Sequence, residues 1–146
     1  MNMNNLNSFC DGGAYHNGHP DCITSIGVYA PKLNYKYSGI VRDEELNTIE
    51  RGELFAIIHS LEFGISKKFE TITIFTDSQV SQKCILGIWK ITKNFDLYNR
   101  IDELLKKFIM AKIFWIKSHD GNIGNEIAND LATKALSNLL GDKYTH

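Results

Sequence analysis

The stretch TIERGELFAIIHSLEFGISKKFETITIFTDS, residues 48–78, decides the fold because its hydrophobic period changes from helical to strand-like. Its first half carries apolar side chains at the spacing of one helix face, namely Leu54, Ile57, Ile58 and Leu61. Its second half, TITIFTDS, is rich in β-branched residues and predicts a strand. Because a helix then joins an earlier strand to a later one, we predict parallel pairing within a mixed sheet that has helices on its faces.

The regions on either side complete the predicted order of elements. Three runs before residue 48 are rich in β-branched and aromatic residues and predict antiparallel strands at residues 6–13, 22–31 and 33–41. After residue 78 the chain predicts a helix at 79–89, a helix marked by Leu97, Ile101, Leu104, Leu105 and Phe108, a strand at 111–117 and a helix at 125–140. The order βββαβααβα predicts an α/β fold with a five-stranded mixed sheet.

Length and composition favour a single globular domain at residues 1–146. The chain has 146 residues, a net charge of −1 and 43% hydrophobic residues, and it contains no apolar run of membrane-spanning length. Its start, MNMNNLNSF, lacks the pattern of a secretion signal, so we expect an intracellular, cytoplasmic protein and, most simply, a monomer. The three cysteines are an odd number without C-x-x-C spacing, which indicates reduced packing residues.

Three acidic residues stand at predicted element ends. Asp11 ends the first apolar strand, Asp77 ends TITIFT, and Glu53 lies beside the apolar stripe of the first helix. Each alone has a structural explanation, as a turn former, a cap or a first-turn acid. Together, carboxylates brought close at one sheet edge repel one another unless a hard divalent cation neutralises them. The three acids therefore predict a candidate metal site.

Four motifs resemble type 1 ribonuclease H in order and spacing over nearly the whole chain: FCDGG, RGELFAI, FTDSQ and KSHDGNIGNEIANDLA. The resemblance implies the ribonuclease H-like fold and an endonuclease that cuts the RNA strand of RNA–DNA hybrids, leaving 5′-phosphate and 3′-hydroxyl ends. It also implies two Mg²⁺ ions, for which Mn²⁺ can substitute, that activate water and stabilise the leaving oxygen.

The resemblance implies roles for individual residues at the reacting centre. Asp11 would bridge both ions, Glu53 would serve the leaving-group side and Asp77 the nucleophile side. His119 matches a mobile histidine that handles protons or assists product departure, although a histidine on such a loop is often merely solvated.

Four further residues match positions that contact the hybrid, where a 2′-hydroxyl separates RNA from DNA: Gly12, Asn17, Ser78 and Gln79. Turn chemistry and helix capping also account for some of these residues, and the two kinds of role can coexist.

Two departures from the family pattern concern substrate binding. Many members carry an extra helix and a lysine-rich loop where this chain has only GIWKITKNFDL, which leaves Trp89, Lys90 and Lys93. We expect Trp89 to pack in the core and hybrid affinity to be modest, since fewer phosphates are contacted. Ile49 and Glu50 replace paired asparagines that read the hybrid's minor groove, which changes substrate placement there.

The third departure concerns the fourth acid of the family. Aligning NEIANDLA with the family pattern places Asn129 on that acid, ten residues after His119. On a helical wheel Asn129 lies roughly 20° from Leu136, near a buried side, while Asp130 points to solvent. The predicted buried side comprises Ile127, Ala128, Leu131, Ala135 and Leu139. We predict that Asn129 offers a carbonyl oxygen without charge, so that the nucleophile-side ion is held more weakly and the Mg²⁺ requirement is higher.

Two alternative functions remain open from the sequence. Asn129 and the missing lysine-rich loop are also compatible with a weakly active or inactive module that binds hybrids without cleaving them. A resolvase or integrase core acting on DNA is the third reading, and the TDSQ and KSH motifs speak against it.

Overall fold

The computed structural model describes residues 4–41 and 47–141. Its strands and helices follow the predicted order βββαβααβα: β1 (Asn5–Tyr15), β2 (Ile23–Ala30), β3 (Tyr35–Ile40), α1 (Ile49–Ser66), β4 (Thr71–Thr76), α2 (Gln79–Ile85), α3 (Phe95–Leu105), β5 (Met110–Trp115) and α4 (Ile123–Leu140). A short 3₁₀ turn at Pro31–Leu33 lies between β2 and β3.

The five strands form one mixed sheet in the order β3-β2-β1-β4-β5. The hairpin neighbours β1 and β2, and β2 and β3, pair antiparallel. Strand β4 pairs parallel with both β1 and β5. Helix α1 carries the chain from β3 to β4, and α2 and α3 carry it from β4 to β5, as parallel pairing requires. The predicted α/β class and mixed sheet are therefore confirmed, and β1 lies at the centre of the sheet.

Helices α1 and α4 cover opposite faces of β1, as neighbouring glycines demonstrate. A Cβ placed on Gly12 would lie 2.5 Å from the backbone nitrogen of Glu53 in α1. A Cβ placed on Gly13 would lie 3.3 Å from a methyl of Leu136 in α4. Since successive strand residues point to opposite faces, the two helices sandwich this segment of β1.

Helix α4 lies with its backbone directly on β2. A Cβ on Gly27 would fall 2.0 Å from the carbonyl oxygen of Ala128, so only glycine permits this approach. The Ser25 hydroxyl donates to the carbonyl oxygen of Ala132 at 2.7 Å. These contacts fix the height and rotation of α4 on the sheet.

The structure corrects the predicted end of the second helix. Helix α2 ends at Ile85 and does not continue to residue 89. Gly87 takes a positive φ of 77°, which stops the helix and turns the chain. Trp89 is 43% exposed, so the prediction that it packs in the core is wrong.

Two further features differ from the prediction, namely the end of β1 and the buried side of α4. Strand β1 continues past Asp11 to Tyr15, because its pairing with β2 outlasts its pairing with β4. In α4 the buried side is displaced around the helix from the predicted one. Asn125, Ala132 and Leu136 are buried, whereas Leu139 is 46% exposed and Ile127 and Leu131 are half-buried. Small residues such as Ala132 make the contact there, which brings the helix axis close to the sheet and leaves larger side chains at the margin.

The cysteines behave as predicted. Cys10, Cys22 and Cys84 are all buried and free of disulfides. Among residues 4–41 and 47–141, no helix combines the length and the apolar character needed to cross a membrane.

Candidate active site

Three carboxylates meet at one edge of the sheet. Asp11, Glu53 and Asp77 each contribute an oxygen atom, and these oxygens all lie within 4.8 Å of one another. No other group of three or more His, Cys, Asp or Glu side chains in the described part of the chain comes this close together. The predicted convergence of the three acids is therefore present in the fold.

The sheet register explains how the strands bring two of these acids together. Parallel pairing of β1 with β4 ends at Cys10 and Thr76, so Asp11 and Asp77 are the next residues of adjacent strands. The third acid is brought in by α1, whose first turns press against Gly12. A side chain at Gly12 would push α1, and Glu53 with it, away from β1.

Burial makes this cluster electrostatically unfavourable by itself. Asp11 is 2% exposed and Glu53 is 8% exposed. Burial, followed by the charges of Asp11 and Asp77, raises the pKa of Glu53 well above its usual range. Burial and the neighbouring Asp11 also raise the pKa of Asp77 to about 7. Positive charge supplied at the cluster would favour the charged forms of Glu53 and Asp77.

One oxygen of the cluster lacks a partner. Glu53 Oε2 is buried and accepts no hydrogen bond from any described residue. An unsatisfied buried carboxylate oxygen is costly unless a cation or an ordered polar group approaches it. The donor set consists of hard oxygen atoms, which suits Mg²⁺ or Mn²⁺ better than a soft metal.

Asn129 faces this cluster and Asp130 does not. The side-chain amide of Asn129 donates to Asp11 Oδ2 at 2.8 Å, and the backbone N–H of Gly12 donates to Asp11 Oδ1 at 3.0 Å. Asn129 is half-buried, whereas Asp130 is exposed, as the helical wheel predicted. The role of Asn129 as a metal ligand stays a prediction, since its nitrogen is the atom that faces Asp11.

His119 lies on the exposed loop between β5 and α4, where it takes a positive φ of 56°. It lines an open cavity of about 350 Å³ together with Asn125, Glu126, Asn129 and Asp130. Sequence reasoning missed Asn125, which is only 3% exposed although it is polar. Its place one helical turn before Asn129 was the available signal.

Of the predicted substrate-contacting residues, Gly12, Ser78 and Gln79 follow Asp11 and Asp77 along the chain, and Asn17 lies in the loop after β1. Asn17, in the loop after β1, accepts a hydrogen bond from the backbone N–H of Ile49 at 2.9 Å and so joins this loop to the start of α1. Ser78 caps α2 by accepting from the backbone N–H of Ser81 at 3.2 Å, and Gln79 is exposed beside it. Gly12 is buried under α1, as described above. Their contacts with a substrate stay predictions.

Arg51 is a second polar residue that sequence reasoning did not assign to the site. It is 5% exposed and forms two hydrogen bonds with Asp96, at 3.1 and 2.9 Å, which tie α1 to the first turn of α3. Beside it, Lys93 and Glu50 form an ion pair at 3.2 Å. The signal for Arg51 was its wheel position, roughly 20° from the buried Ile58.

Comparison with known proteins assigns the chain to a family. The family model described as RNase H matches residues 3–137. The chain belongs to the ribonuclease H family. A ribonuclease H of Francisella tularensis subsp. novicida is 34% identical, with 88% of this chain and 92% of that protein covered. A ribonuclease H of Francisella philomiragia is 35% identical, with 94% of this chain and 95% of that protein covered.

Solved structures of this family share the fold. RNase H1 from the halophilic archaeon Halobacterium salinarum matches with a TM-score of 0.73 at 24% identity, covering 92% of this chain and 98% of that one. LC11-RNase H1, solved in complex with an RNA/DNA hybrid, matches with a TM-score of 0.69 at 21% identity, covering 90% and 99% of the two chains. The ribonuclease H-like fold implied by the sequence motifs is confirmed.

Proposed function

We propose that the cluster of Asp11, Glu53 and Asp77 is the centre at which this ribonuclease H hydrolyses the RNA strand of RNA–DNA hybrids, giving 5′-phosphate and 3′-hydroxyl ends. The observation that carries the proposal is the convergence of three carboxylates within 4.8 Å, one of which has a buried oxygen without a partner. Membership of the ribonuclease H family supports the reaction. The hybrid bound to the structurally similar LC11-RNase H1 supports the substrate class.

The donor set fits a pair of hard divalent cations, Mg²⁺ or, in its place, Mn²⁺. Bound cations would supply the activation of a water molecule and the stabilisation of the leaving 3′-oxygen. In the role that the family pattern implies, Asp11 would hold both ions, and its charge already acts on both Glu53 and Asp77. Glu53 would hold the leaving-group side and Asp77, the less buried acid, the nucleophile side.

The residues around the acids orient the reacting groups. The backbone N–H of Gly12 holds one oxygen of Asp11, which fixes the direction of that carboxylate before substrate arrives. His119, exposed on the loop that lines the cavity beside Asn129, would help to handle protons or assist product departure.

Substrate contacts would come from the loop after β1 and the start of α2. Asn17 would contact the nucleic acid backbone through its side-chain NH₂, because its carbonyl oxygen is occupied by Ile49. Ser78 and Gln79 follow Asp77 directly and would reach the strand at the scissile phosphate. Gly12 would contribute its backbone, since it has no side chain.

A second candidate is a module that binds hybrids but turns them over slowly or not at all. The observation in its favour is Asn129, an amide without charge beside Asp11. Against it, all three clustered acids and His119 are present, and the buried cluster would be an unexplained electrostatic cost in a protein that only binds.

The test is a substrate panel. The protein is incubated with Mg²⁺ or Mn²⁺ and end-labelled RNA–DNA hybrid, RNA duplex and DNA duplex, and the product ends are identified. We expect internal cleavage of the RNA strand of the hybrid only, with 5′-phosphate ends and no cleavage in EDTA. Binding of the hybrid without cleavage would support the second candidate, and cleavage of DNA would refute the proposed substrate.

A further inference from the structure

The amide of Asn129 has a defined orientation toward the cluster. Its Nδ2 lies 2.8 Å from Asp11 Oδ2, and its carbonyl oxygen, on the other branch of the same carbon, is directed elsewhere. The reverse orientation would set two acceptor oxygens against each other at this distance, because a carboxylate can only accept. The donor-inward orientation is therefore the one that the electrostatics of the cluster select.

Both oxygens of Asp11 are held by donors of this chain. The Gly12 N–H donates to Oδ1 and the Asn129 amide donates to Oδ2. Because Asp11 is only 2% exposed, bulk water does not reach its carboxylate to replace either donor. These two hydrogen bonds set the direction of the carboxylate of Asp11, which in the proposed function would hold both cations.

The position of Asn129 is fixed by the sheet and not by its own side chain. The residues after it in α4, Leu131 and Ala132, accept hydrogen bonds through their carbonyl oxygens from Ser38 at 2.5 Å and from Ser25 at 2.7 Å. The residue before it, Ala128, lies against Gly27 with no room for a side chain between them. Asn129 is thus carried on a helical turn that is tied to β2 and β3, which makes its donor a rigid one.

We propose that Asn129 is a positioning residue for Asp11 and not a metal ligand. Its amide donates to Asp11 and holds that carboxylate in place, both with and without divalent cations. To act as a ligand through its oxygen, the amide would have to rotate by about half a turn, lose its bond to Asp11 and turn its NH₂ group elsewhere. This inference rests on the proposed function of the cluster, but its test needs no nucleic acid.

This chain has an amide at position 129, where the family pattern has a carboxylate, and this difference has a direct electrostatic consequence. An aspartate at position 129 would bring a fourth negative charge to within hydrogen-bonding distance of Asp11 and would remove the donor. The metal-free protein would lose stability, while its attraction for divalent cations would rise. Asn129 thus favours a folded metal-free state at the expense of cation affinity.

The test combines metal-free stability with cation affinity in the absence of substrate. Thermal unfolding in EDTA and Mg²⁺ binding by calorimetry are measured for Asn129→Ala and Asn129→Asp. The matched controls are Asn138→Ala and Asn138→Asp, on the exposed side of the same helix. For Asn129→Ala we expect a melting temperature lower by about 3–6 °C in EDTA, from one lost buried hydrogen bond, and Mg²⁺ affinity lower by about tenfold, as for other ligand-orienting residues.

For Asn129→Asp we expect a lower melting temperature in EDTA together with Mg²⁺ affinity above that of the unaltered protein. Both control variants should match the unaltered protein. In ¹⁵N-labelled protein, the side-chain NH₂ protons of Asn129 should stay protected from solvent exchange both in EDTA and in saturating Mg²⁺.

Three results would overturn the inference. An unchanged melting temperature of Asn129→Ala in EDTA would show that the amide does not hold Asp11. Loss of NH₂ protection when Mg²⁺ is added would show that the amide turns its oxygen to the cation. Unchanged Mg²⁺ affinity of Asn129→Ala would show a merely structural hydrogen bond. Failure of hybrid cleavage by the unaltered protein would instead refute the proposed function, and it would leave these measurements intact.

Discussion

Asp77→Asn should make the metal-free protein more stable at pH 8 while abolishing cleavage. The carboxyl of Asp77 is half-buried beside Asp11, and burial and that neighbour raise its pKa from 3.8 to about 7. A carboxyl whose pKa is raised in the folded state favours folding while it is protonated. That contribution is fully present below about pH 4 and is lost as the pH rises through about 7.

The expected gain in the free energy of unfolding follows from the size of this pKa shift. Each pKa unit corresponds to about 1.4 kcal/mol, so a shift of roughly three units sets a ceiling near 4 kcal/mol at pH 8. Water reaches part of the Asp77 side chain and screens its charge, so we expect Asp77→Asn to raise the free energy of unfolding by about 1–2 kcal/mol. At pH 5, where the folded carboxyl is already protonated, the gain should be much smaller.

The assay is urea unfolding in EDTA at pH 5 and pH 8, repeated at pH 8 with saturating Mg²⁺. The control is Asp120→Asn, which removes a carboxylate that is exposed on a loop. Mg²⁺ should stabilise the unaltered protein and the control strongly, and Asp77→Asn only weakly. If Asp77→Asn is no more stable than the control in EDTA at pH 8, then the clustered carboxylates do not destabilise the metal-free protein.

Three further predictions concern the scaffold and substrate binding. Gly27→Ala should cost about 3 kcal/mol in urea unfolding and reduce cleavage, since a Cβ there meets the carbonyl oxygen of Ala128; unchanged stability would contradict the close docking of α4. Burial lowers the pKa of His59, so its contribution to stability is present above the unfolded pKa of about 6.5 and is lost as the pH falls. His59→Gln should therefore make the free energy of unfolding depend less on pH below about pH 6.5. An equally steep dependence in the variant would show that His59 is not its cause. Hybrid affinity should depend less on salt than in relatives with a lysine-rich loop, because few lysines remain at that place and Lys93 is already paired with Glu50 at 3.2 Å. An equally steep salt dependence would show that basic side chains elsewhere on the protein replace that loop.

The order of elements and the meeting of the acids were accessible from the sequence. The change from helical to strand-like spacing marked α1 and β4, and it predicted parallel pairing within the sheet without identifying the paired strands. The structure shows that β1 and β4 form such a pair, and their adjacent ends bring Asp11 and Asp77 together. Glu53 followed from its position on the apolar stripe of α1.

The features that the sequence did not reveal depend on tertiary contacts. Gly12 and Gly13 lie inside the predicted first strand, but the reason for glycine at these positions is tertiary, because α1 and α4 approach β1 too closely for side chains there. Trp89 looks like the end of an amphipathic helix, but Gly87 has already ended it. The partners of Arg51 lie more than forty residues further along the chain, so local periodicity could not identify them.

In the proposed function, the carboxylate cluster performs the cleavage. The decisive experiment measures the single-turnover cleavage rate and the affinity for an RNA–DNA hybrid for the unaltered protein and for Glu53→Gln, in the same Mg²⁺ buffer. We predict that Glu53→Gln folds and binds the hybrid but cleaves its RNA strand more slowly by at least about a hundredfold. Cleavage by Glu53→Gln at the unaltered rate would show that the cluster does not perform the reaction.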